Sequence, residues 1–466
     1  MPPKFGTSGL RGLVSELTTD LITAYTHAFL QTCPLGGGVH VGWDLRPSSP
    51  EIAATVIAAI RAAGIDAYES GAVPTPALAL SAMTQGHAAI MVTGSHIPAD
   101  RNGLKFYVPQ GEISKADEER ILAAFEARSA PQTTNPGRLI SDSNCISNYV
   151  SRYREAFGSD ALQGLRIGVY QHSSVARDIM VDVVAALGAT PVPLARSDVF
   201  IPVDTEAVDP ETRSQLQAWV KEHALDAVIS TDGDADRPML ANATGDIVAG
   251  DVLGPLTARF LGATNVCTPV SSNSIVEMMG HFANVDYTKI GSPFVIAAME
   301  QALAQNSATK VIGYEANGGV LLGFSAQDPC GALPPLMTRD CLLPILAPLA
   351  AANASKQSIA ALVASLPSRF TAADRLQGIE PQDSAQFLAE MTDSPEIRAT
   401  FFSEMPAELS CDTTDGLRVT FEGGDIVHLR PSGNAPEFRC YAESASAEAA
   451  AALVAKHLAL LQDRLG

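Results

Sequence analysis

Short apolar runs alternate with segments of helical spacing along most of the chain, which predicts strands and helices in turn. The pattern occurs three times, in rounds of roughly 100 residues. The predicted strands are 39–43, 88–93, 165–170, 190–194, 226–231, 265–268, 285–290 and 311–314, and the predicted helices are 50–63, 115–128, 176–187, 211–223, 275–282 and 294–304. Strands separated by helices indicate βαβ units, so we expect three similar α/β domains with mixed, largely parallel sheets.

The C-terminal part follows a different pattern. Predicted strands at 417–421 and 426–429 flank a Glu-Gly-Gly-Asp string that is typical of a hairpin. A predicted strand at 438–442 and a long Ala/Leu helix at 445–465 complete an α+β domain with an antiparallel sheet. With linkers expected at 131–137 and 366–374, the predicted domains are 1–140, 141–252, 253–366 and 367–466.

The composition is that of a folded acidic protein. Of the 466 residues, 46% are hydrophobic and 18% are charged, which excludes disorder of the chain as a whole. Lys and Arg number 31 against 51 Asp and Glu, so the net charge is −20, which argues against nucleic acid or a membrane as a partner. A small anionic ligand then requires local clusters of positive charge.

Cysteine usage and the absence of targeting signals favour a reducing, cytoplasmic location. The first residues contain no apolar signal segment, which argues against secretion. The most apolar stretch, 342–362, is interrupted by prolines, Asn353 and Lys356, which predicts helices of a water-soluble protein. The seven cysteines are scattered and form no C-x-x-C pair, so we expect free thiols rather than disulfides or a zinc site.

The first candidate loop begins where the predicted strand 88–93 ends. Open α/β sheets bind ligands at the carboxyl ends of their strands. There Ser95 can act as a nucleophile or phosphate carrier, and Lys105, further along the same loop, as an acid, a base or a charge clamp. Ser95 and His96 are sequence neighbours, so we expect their side chains to diverge rather than form a dyad. The alternative is a polar turn in which Ser95 caps a helix.

An Asp-Gly-Asp-Ala-Asp-Arg string follows the predicted strand of the second round. Asp232, Asp234 and Asp236 alternate along it and can converge on one hard cation, while Arg237 can hold an anion beside that cation. An EF-hand is excluded, because Arg237 occupies its glycine position and Ala243 its glutamate position. A solvated acidic turn is the alternative, but three repelling carboxylates beside a buried strand favour a counterion.

Two further loops combine glycines with polar side chains. Glu315 and Asn317 alternate after the third-round strand, so a carboxylate and an amide can face vicinal sugar hydroxyls. Lys289 ends a neighbouring strand and is expected to face the same cleft. The fourth loop can surround a phosphate dianion with donors from Arg430, Ser432, Gly433, Asn434 and Arg439. The alternatives are a glycine-rich turn, a solvated lysine and an ordinary strand connection with surface arginines.

Together with FGTSGLRG at 5–12 and GWDLRPS at 42–48, these four loops resemble the α-D-phosphohexomutase superfamily. Its members include phosphomannomutase/phosphoglucomutase, phosphoglucosamine mutase and phosphoacetylglucosamine mutase. The resemblance covers essentially the whole chain, with one motif in each predicted domain. It implies an α/β fold whose four domains surround a central cleft. It also implies an intramolecular phosphotransferase that interconverts hexose 1-phosphate and hexose 6-phosphate through an enzyme phosphoserine and a hexose 1,6-bisphosphate.

The resemblance implies a role for each site residue. Ser95 would be the phosphoserine, and its phosphate would hold Mg²⁺ with Asp232, Asp234 and Asp236. The sugar hydroxyls would be bound by Glu315 and Asn317. The clamp on the non-reacting phosphate would be formed by Arg430, Ser432, Gly433, Asn434 and Arg439. The transfer site and cleft would be lined by Arg11, His96, Lys105, Arg237 and Lys289.

The chain departs from the superfamily pattern at several loop positions. Gly94 and Ile97 stand where Ala and Asn are common, Asn434 and Ala435 where Thr and Glu are usual, and Asn317 and Gly319 where Ser and His are frequent. The Glu-Ala-Asn-Gly string of the sugar loop resembles that of phosphoacetylglucosamine mutases.

The leading interpretation is an Mg²⁺-dependent enzyme of the phosphomannomutase/phosphoglucomutase type. We expect it to act on small hexose phosphates as a monomer or homodimer, with a hexose 1,6-bisphosphate as activator and intermediate. Within the class, a phosphoglucosamine or N-acetylglucosamine-phosphate mutase is the alternative. From other classes, the alternatives are a catalytically silent sugar-phosphate-binding module and a metal-dependent sugar phosphatase.

Overall fold

The structure, a computed structural model, describes residues 3–6, 9–128, 135–327, 330–432 and 436–465. The N-terminal part contains β1 Lys4–Phe5, β2 Leu10–Leu13, α1 Thr19–Thr32, β3 Val39–Trp43, α2 Ser49–Ala62, β4 Ala67–Ala72, α3 Thr75–Thr84, β5 Ala88–Val92, β6 Arg101–Val108, β7 Gly111–Glu112, α4 Lys115–Glu126 and β8 Leu139–Ser141. The second part contains α5 Cys145–Phe157, β9 Arg166–His172, α6 Arg177–Ala186, β10 Thr190–Arg196, α7 Pro210–His223, β11 Ala227–Thr231 and β12 Pro238–Ala241.

The third part contains α8 Gly250–Phe260, β13 Asn265–Pro269, α9 Ile275–Met278, β14 Asn284–Thr288, α10 Ser292–Gln305, β15 Val311–Tyr314, β16 Val320–Leu322, β17 Ala326–Gln327, β18 Ala332–Leu333, β19 Leu336–Asp340, α11 Leu342–Ala354 and α12 Ile359–Ala364. The C-terminal part contains β20 Phe370–Gln377, α13 Pro381–Asp393, α14 Pro395–Phe401, β21 Glu408–Asp412, β22 Leu417–Phe421, β23 Ile426–Pro431, β24 Glu437–Ser444 and α15 Ala447–Leu465.

The first three parts share one strand order. Their sheets contain the series β4-β3-β5-β6, β10-β9-β11-β12 and β14-β13-β15-β16. In each series the first three strands are parallel and the fourth is antiparallel. The predicted class of three similar α/β units with mixed sheets is therefore confirmed. The loop between the third and fourth strand of each series lies at the carboxyl edge of its parallel strands.

The C-terminal sheet is antiparallel throughout, in the order β20-β24-β23-β22-β21. This confirms the predicted α+β character, and the hairpin of β22 and β23 lies where the glycine pair predicted it. Helices α13 and α15 cover the sheet with their own apolar cluster, which includes Phe387, Phe421, Phe438 and Leu461. The C-terminal unit thus has a core of its own.

The first three units are joined by one continuous core. It contains buried residues of α3, α5, α8 and α11, such as Leu78, Tyr149, Leu253 and Ile345. The apolar stretch that begins at Leu342 forms α11 within this core and then α12, as predicted. Each Å² of apolar surface removed from water contributes about 25 cal/mol to stability. Because three units contribute side chains to this core, their sheets are held in fixed relative positions.

Several local predictions need correction. The segment expected as a loop up to Lys105 forms β6, which pairs with β2 and β5. The helix predicted at 275–282 spans four residues, because Gly280 takes a left-handed conformation at its end. Strand β20 occupies part of the linker predicted at 366–374. Residues 131–134 of the other predicted linker lie outside the described residues.

Two expectations from the composition agree with the described structure. All seven cysteines lie in the described ranges, and none forms a disulfide. Within those ranges, no helix combines the length and the apolar character that a bilayer crossing requires.

Candidate active site

Ser95 lies at the carboxyl end of β5, in the loop that leads to β6. Its side chain is buried, and its Oγ donates a hydrogen bond of 2.5 Å to Asp232 Oδ2, a residue of the second unit. Its backbone is left-handed, with φ of 53°, a conformation that a serine adopts only when its surroundings impose it. The nucleophile candidate of the first unit therefore faces the acidic loop of the second.

Asp232, Asp234 and Asp236 occupy the equivalent loop between β11 and β12. All three are buried, and one carboxylate oxygen of each lies within 4.8 Å of the others. A left-handed turn at Ala235, with φ of 59°, bends the loop. Burial, together with Asp234 and Asp236, raises the pKa of Asp232 well above its usual range. The three carboxylates thus converge as the spacing predicted, and the cluster could bind a metal ion.

The donor set of this cluster fits a hard cation. The Oδ1 atoms of Asp234 and Asp236 are buried and accept no hydrogen bond from any described residue. A buried carboxylate oxygen that accepts no hydrogen bond is unfavourable even where the other oxygen of the group is paired. Carboxylate oxygens are the ligands that Mg²⁺ and Ca²⁺ prefer. A divalent cation would satisfy both atoms and offset the repulsion among the three carboxylates.

Cationic side chains surround the carboxylates. Lys105, on β6, places Nζ 2.6 Å from both Asp234 Oδ2 and Asp236 Oδ2. Burial by itself lowers the pKa of Lys105, but Asp234 and Asp236 outweigh it and hold the pKa above its usual value. Arg339, at the end of β19, lies 2.7 Å from Asp236 Oδ2. The lysine is therefore charged, and its position on a strand rather than in the loop brings it to the cluster.

Arg339 also connects the cluster to the third equivalent loop, between β15 and β16. It donates a hydrogen bond of 3.0 Å to Glu315 Oε2. Asn317 Nδ2 lies 3.4 Å from the same oxygen, so the two polar side chains of this loop face the same way, as their alternation predicted. Both are buried beside the cleft. Equivalent loops of all three units therefore meet at one site.

The prediction that Ser95 and His96 diverge is wrong. Ser95 Oγ and His96 Nδ1 lie 3.3 Å apart. Adjacent side chains diverge in an extended backbone, whereas the left-handed conformation of Ser95 turns its side chain toward the next residue. Burial, with Arg237 and Arg11 nearby, lowers the pKa of His96 to about 2, so the imidazole is neutral at physiological pH.

Arg11 and Arg237 complete a crowded cationic side of the cleft. Burial and the charges of Arg237 and Arg339 lower the pKa of Arg11 to about 10. Arg237 NH1 lies 3.3 Å from Glu206 Oε2. Like charges held this close are favoured when an anion binds between them. The crowding matches the local positive cluster that the acidic composition requires for an anionic ligand.

The loop of the C-terminal unit contacts the third unit through Asp415. Arg430 and Arg439 are direct cross-strand neighbours on β23 and β24. Arg430 Nε lies 2.9 Å from Asp415 Oδ1, and Asp415 Oδ2 accepts a hydrogen bond of 2.8 Å from the backbone N–H of Ile290 in the third unit. Asp415 therefore connects this arginine to the β14–α10 loop, which also carries the exposed Lys289.

The structure describes only part of the predicted phosphate clamp. The backbone N–H of Ser432 donates a hydrogen bond of 2.8 Å to Glu437 O, and Arg439 lies 3.4 Å from the Glu437 carboxylate. Gly433 and Asn434 lie outside the described residues. The arginines and Ser432 are thus placed near one another, as the loop composition predicted.

Several residues of the site were missed by sequence reasoning. Arg339 and Asp415 belong to no string that signals chemistry, and each reaches its partner from a distant part of the chain. Arg46 was noted only as part of a family segment, yet its guanidinium contacts the Ser95 loop. The sequence does place Arg46 and Arg339 close to apolar strands, where a charged residue is uncommon. That position suggests a buried ion pair or hydrogen bond, but it does not indicate which residue is the partner.

This arrangement defines a class of protein. A buried serine hydroxyl, a carboxylate cluster suited to a divalent cation and a surrounding set of arginines and lysine are the parts that transfer of a phosphoryl group requires. Three repeated α/β units supply these parts, and a fourth unit adds arginines from outside. The fold and site are those of an enzyme that transfers phosphoryl groups.

Comparison with known proteins narrows this class. Four models of phosphoglucomutase/phosphomannomutase match the chain: alpha/beta/alpha domain I over residues 2–132, domain II over 147–245, domain III over 249–370 and the C-terminal domain over 380–460. A phosphomannomutase from Sinorhizobium fredii is 45% identical, with 100% of each chain covered. The chain belongs to the phosphoglucomutase/phosphomannomutase family.

Other relatives agree with this assignment. A phosphomannomutase from Salmonella muenchen is 42% identical, with 99% of this chain and 96% of the relative covered. Phosphoglucosamine mutases also match, at lower identity. The crystal structure of a phosphoglucomutase/phosphomannomutase family protein from Burkholderia thailandensis superimposes with a TM-score of 0.77 at 21% identity, covering 98% of this chain and 97% of that one. This last likeness concerns the fold alone.

Proposed function

We propose that the protein is a phosphohexomutase that interconverts hexose 1-phosphate and hexose 6-phosphate, with mannose and glucose phosphates as its substrates. The observation that carries the proposal is the buried Ser95 hydroxyl, 2.5 Å from Asp232 in a carboxylate cluster with two unpartnered oxygens. The phosphomannomutase relatives at 45% and 42% identity support mannose phosphate as a substrate.

In the proposed reaction, phosphorylated Ser95 gives its phosphoryl group to the free hydroxyl of a hexose phosphate, and the P–O bond to Ser95 breaks as the new P–O bond forms. The resulting hexose 1,6-bisphosphate then returns its other phosphoryl group to Ser95. In the first step the proton of the attacking sugar hydroxyl is replaced by the phosphoryl group and Ser95 Oγ gains a proton as it leaves; in the second step Ser95 Oγ loses that proton and the departing sugar oxygen gains one. A hexose 1,6-bisphosphate also serves to load the unphosphorylated enzyme.

The proposed metal site consists of Asp232, Asp234, Asp236 and the phosphate of Ser95, with Mg²⁺ as the cation. When bound, Mg²⁺ supplies positive charge that stabilises the transferring phosphoryl group. Lys105 already contacts two of these carboxylates, and as a charged ammonium group it is placed to neutralise the charge that develops during the transfer. His96 is neutral and lies against Ser95 Oγ, where it can orient that atom.

The remaining residues are proposed to bind and orient the sugar phosphate. Glu315 and Asn317 present a carboxylate and an amide from one loop, which suits adjacent sugar hydroxyls. Arg430, Ser432, Gly433, Asn434 and Arg439 are proposed to clamp the phosphate that does not react. Arg11, Arg237 and Lys289 are proposed to line the path between the two phosphates. The boundaries 1–140, 141–252, 253–366 and 367–466 and a cytoplasmic monomer or homodimer belong to the same proposal.

Burial of the nucleophile favours a mutase over a phosphatase. Ser95 is 1% exposed, and a phosphoserine in a pocket that excludes water transfers to a bound sugar rather than to water. The retained serine, carboxylates and lysine argue against a silent binding module. A hexosamine-phosphate mutase is the second candidate, because the Glu315-Ala316-Asn317-Gly318 string resembles phosphoacetylglucosamine mutases and phosphoglucosamine mutases match at lower identity.

Phosphorus NMR tests the proposal directly. The purified protein with Mg²⁺ and a trace of glucose 1,6-bisphosphate is given mannose, glucose, glucosamine and N-acetylglucosamine 1-phosphates in separate samples. Conversion of mannose and glucose 1-phosphates to 6-phosphates is expected. Preferred conversion of the hexosamine phosphates would select the second candidate. Release of free phosphate would indicate a phosphatase, and no change in any sample would contradict an enzymatic role.

A further inference from the structure

The Ser95 loop is held by a buried arginine that lies outside the reacting groups. Arg46, just before α2, is 1% exposed. Its NH2 donates to Ser95 O at 2.8 Å and to Ile97 O at 2.5 Å, and its NH1 donates to Pro98 O at 2.6 Å and to Arg101 O at 2.9 Å. One guanidinium thus donates hydrogen bonds to four carbonyl groups between Ser95 and the first residue of β6.

Asp44 connects the same guanidinium to Thr93, the residue that directly follows β5. Arg46 Nε donates to Asp44 Oδ2 at 3.2 Å, so all five N–H groups of the guanidinium are used. The same carboxylate oxygen accepts from Thr93 Oγ1 at 2.7 Å, and Thr93 Oγ1 accepts from the backbone N–H of Ser95 at 2.8 Å. The N–H and C=O of Ser95 are therefore both fixed by this network.

Two neighbouring residues leave room for the guanidinium and cover it. A Cβ at Gly94 would lie 2.6 Å from Arg46 Cζ, so the glycine provides the space in which the guanidinium sits. The ring of Phe200, from the second unit, covers the guanidinium with its centroid 4.3 Å from Cζ. The arginine is thus enclosed between the serine loop and the unit that carries the carboxylates.

We propose that Arg46 is the positioning residue of the nucleophile: its guanidinium holds Ser95 in its left-handed conformation, so that Oγ points at the carboxylate cluster of the second unit. The inference rests on the proposed function. A left-handed backbone is unfavourable for a serine and persists only where contacts impose it. A lysine has three donors on a flexible chain and cannot reproduce the fork that reaches four carbonyls.

The first experiment compares Arg46→Lys with Arg101→Lys, a matched control at the first residue of β6, whose side chain is exposed. Steady-state kinetics are measured with mannose 1-phosphate, and Ser95 phosphorylation by glucose 1,6-bisphosphate is followed by intact mass. Arg46→Lys is expected to lower kcat and the phosphorylation rate by about 100-fold, with KM within about twofold, because misplacement by about 1 Å has this effect. Arg101→Lys is expected to match wild type.

A second variant approaches the same contact from the opposite side. Gly94→Val places a branched side chain against the guanidinium and is expected to lower kcat by at least about tenfold. In the Arg46→Lys background the same change is expected to lower kcat by less than about twofold, because the guanidinium carbon that it meets is gone. Two residues that acted only on general stability would instead show additive effects.

The outcomes separate this inference from the proposed function. If Ser95→Ala turns over like wild type, the proposed function fails and the inference fails with it. If Ser95→Ala is inert while Arg46→Lys retains wild-type kcat, only the positioning role is wrong. A kcat loss fully explained by a smaller folded fraction in thermal melts would also overturn it. If Arg46→Lys does not fold, Gly94→Val alone decides, and wild-type kcat in that variant contradicts the inference.

Discussion

The Ser95 pocket and the C-terminal arginine loop are both proposed to hold phosphate, but they differ in how much is fixed beforehand. In the pocket, Lys105 lies 2.6 Å from two carboxylates and is 4% exposed. On the loop, the Arg439 side chain is 37% exposed and lies 3.4 Å from its carboxylate partner. The pocket belongs to a core shared by three units, whereas the loop belongs to a unit with its own core.

The difference follows from what each region is proposed to do. Transfer of a phosphoryl group depends on charges that are already oriented, so that little reorganisation accompanies the reaction. Binding the non-reacting phosphate requires a site that substrate can enter and leave, and partly exposed arginines retain some hydration until the anion arrives. We therefore expect changes in the pocket to alter kcat and changes in the loop to alter KM.

The largest expected effect comes from the proposed nucleophile. Ser95→Ala removes the oxygen that is proposed to carry the phosphoryl group and should lower kcat by at least about 1000-fold with an unchanged fold. Coupled turnover assays and circular dichroism measure the two quantities. Ser143→Ala, which alters an exposed serine, is the control. Turnover near the wild-type rate in Ser95→Ala would show that the pocket does not transfer the phosphoryl group through Ser95.

Removal of the metal ion should have the next largest effect. Chelation is expected to lower kcat by at least about 100-fold, and Mg²⁺ is expected to restore it. It should also lower Tm, because Asp234 and Asp236 regain unpartnered oxygens in a buried cluster. Differential scanning calorimetry with and without Mg²⁺ gives this second measurement independently of activity. If neither Tm nor kcat changes when the chelator is added, the cluster holds no cation.

The arginine loop should respond mainly in substrate affinity. Arg430→Ala is expected to raise KM for mannose 1-phosphate by roughly 10- to 150-fold, since a charge-assisted hydrogen bond contributes about 1.5–3 kcal/mol. Its kcat should stay within about threefold of wild type, and the exposed Arg464 on α15 provides the control substitution, Arg464→Ala. An unchanged KM would take Arg430 out of the clamp, and a loss confined to kcat would reverse the proposed division of labour.

The smallest expected effect concerns the contact between the third and C-terminal units. Asp251 is buried on α8 and accepts hydrogen bonds from the backbone N–H of Asn273 and from Thr371 on β20. Burial raises its pKa from 3.8 to about 7. The folded state therefore binds this proton more tightly than the unfolded chain, and the associated stability is lost as pH rises from about 4 through about 7.

Asp251→Asn tests this dependence. The amide cannot ionise, so the Tm of the variant relative to wild type should be higher at pH 8 than at pH 5. Asp463→Asn, at an exposed position on α15, should show no such change. If the difference between variant and wild type is the same at both pH values, Asp251 does not titrate in this range.

Much of the architecture follows from local patterns. The strands that end at 92, 231 and 314 were predicted within one residue at their carboxyl ends, because apolar runs and the glycine-rich strings that follow them are local signals. Those ends place the three loops that carry Ser95, the aspartates and Glu315. The hairpin at Gly423 and Gly424 was predicted from a local signal too, the glycine pair. In the structure both glycines adopt positive φ, as a tight turn requires.

Residues whose roles depend on contacts through space were predicted less well. Lys105 was expected in a loop but lies on β6, because a polar residue in a buried strand can be stabilised by carboxylates more than 100 residues away. The His96 contact with Ser95 depends on a single left-handed residue. Arg46 and Arg339 act through carbonyls and carboxylates of distant segments, which no spacing in the sequence indicates.

The amino-acid sequence by itself determined the alternation of strands and helices, the distinct C-terminal unit and the loops that carry chemistry, because periodicity and turn composition act over a few residues. Only the tertiary structure decided which loops meet, which buried carboxylate oxygens accept no hydrogen bond and which arginine contacts the Ser95 loop. These properties depend on the packing of three equivalent sheets against one another, where burial makes each charge depend on a partner that is distant in the chain.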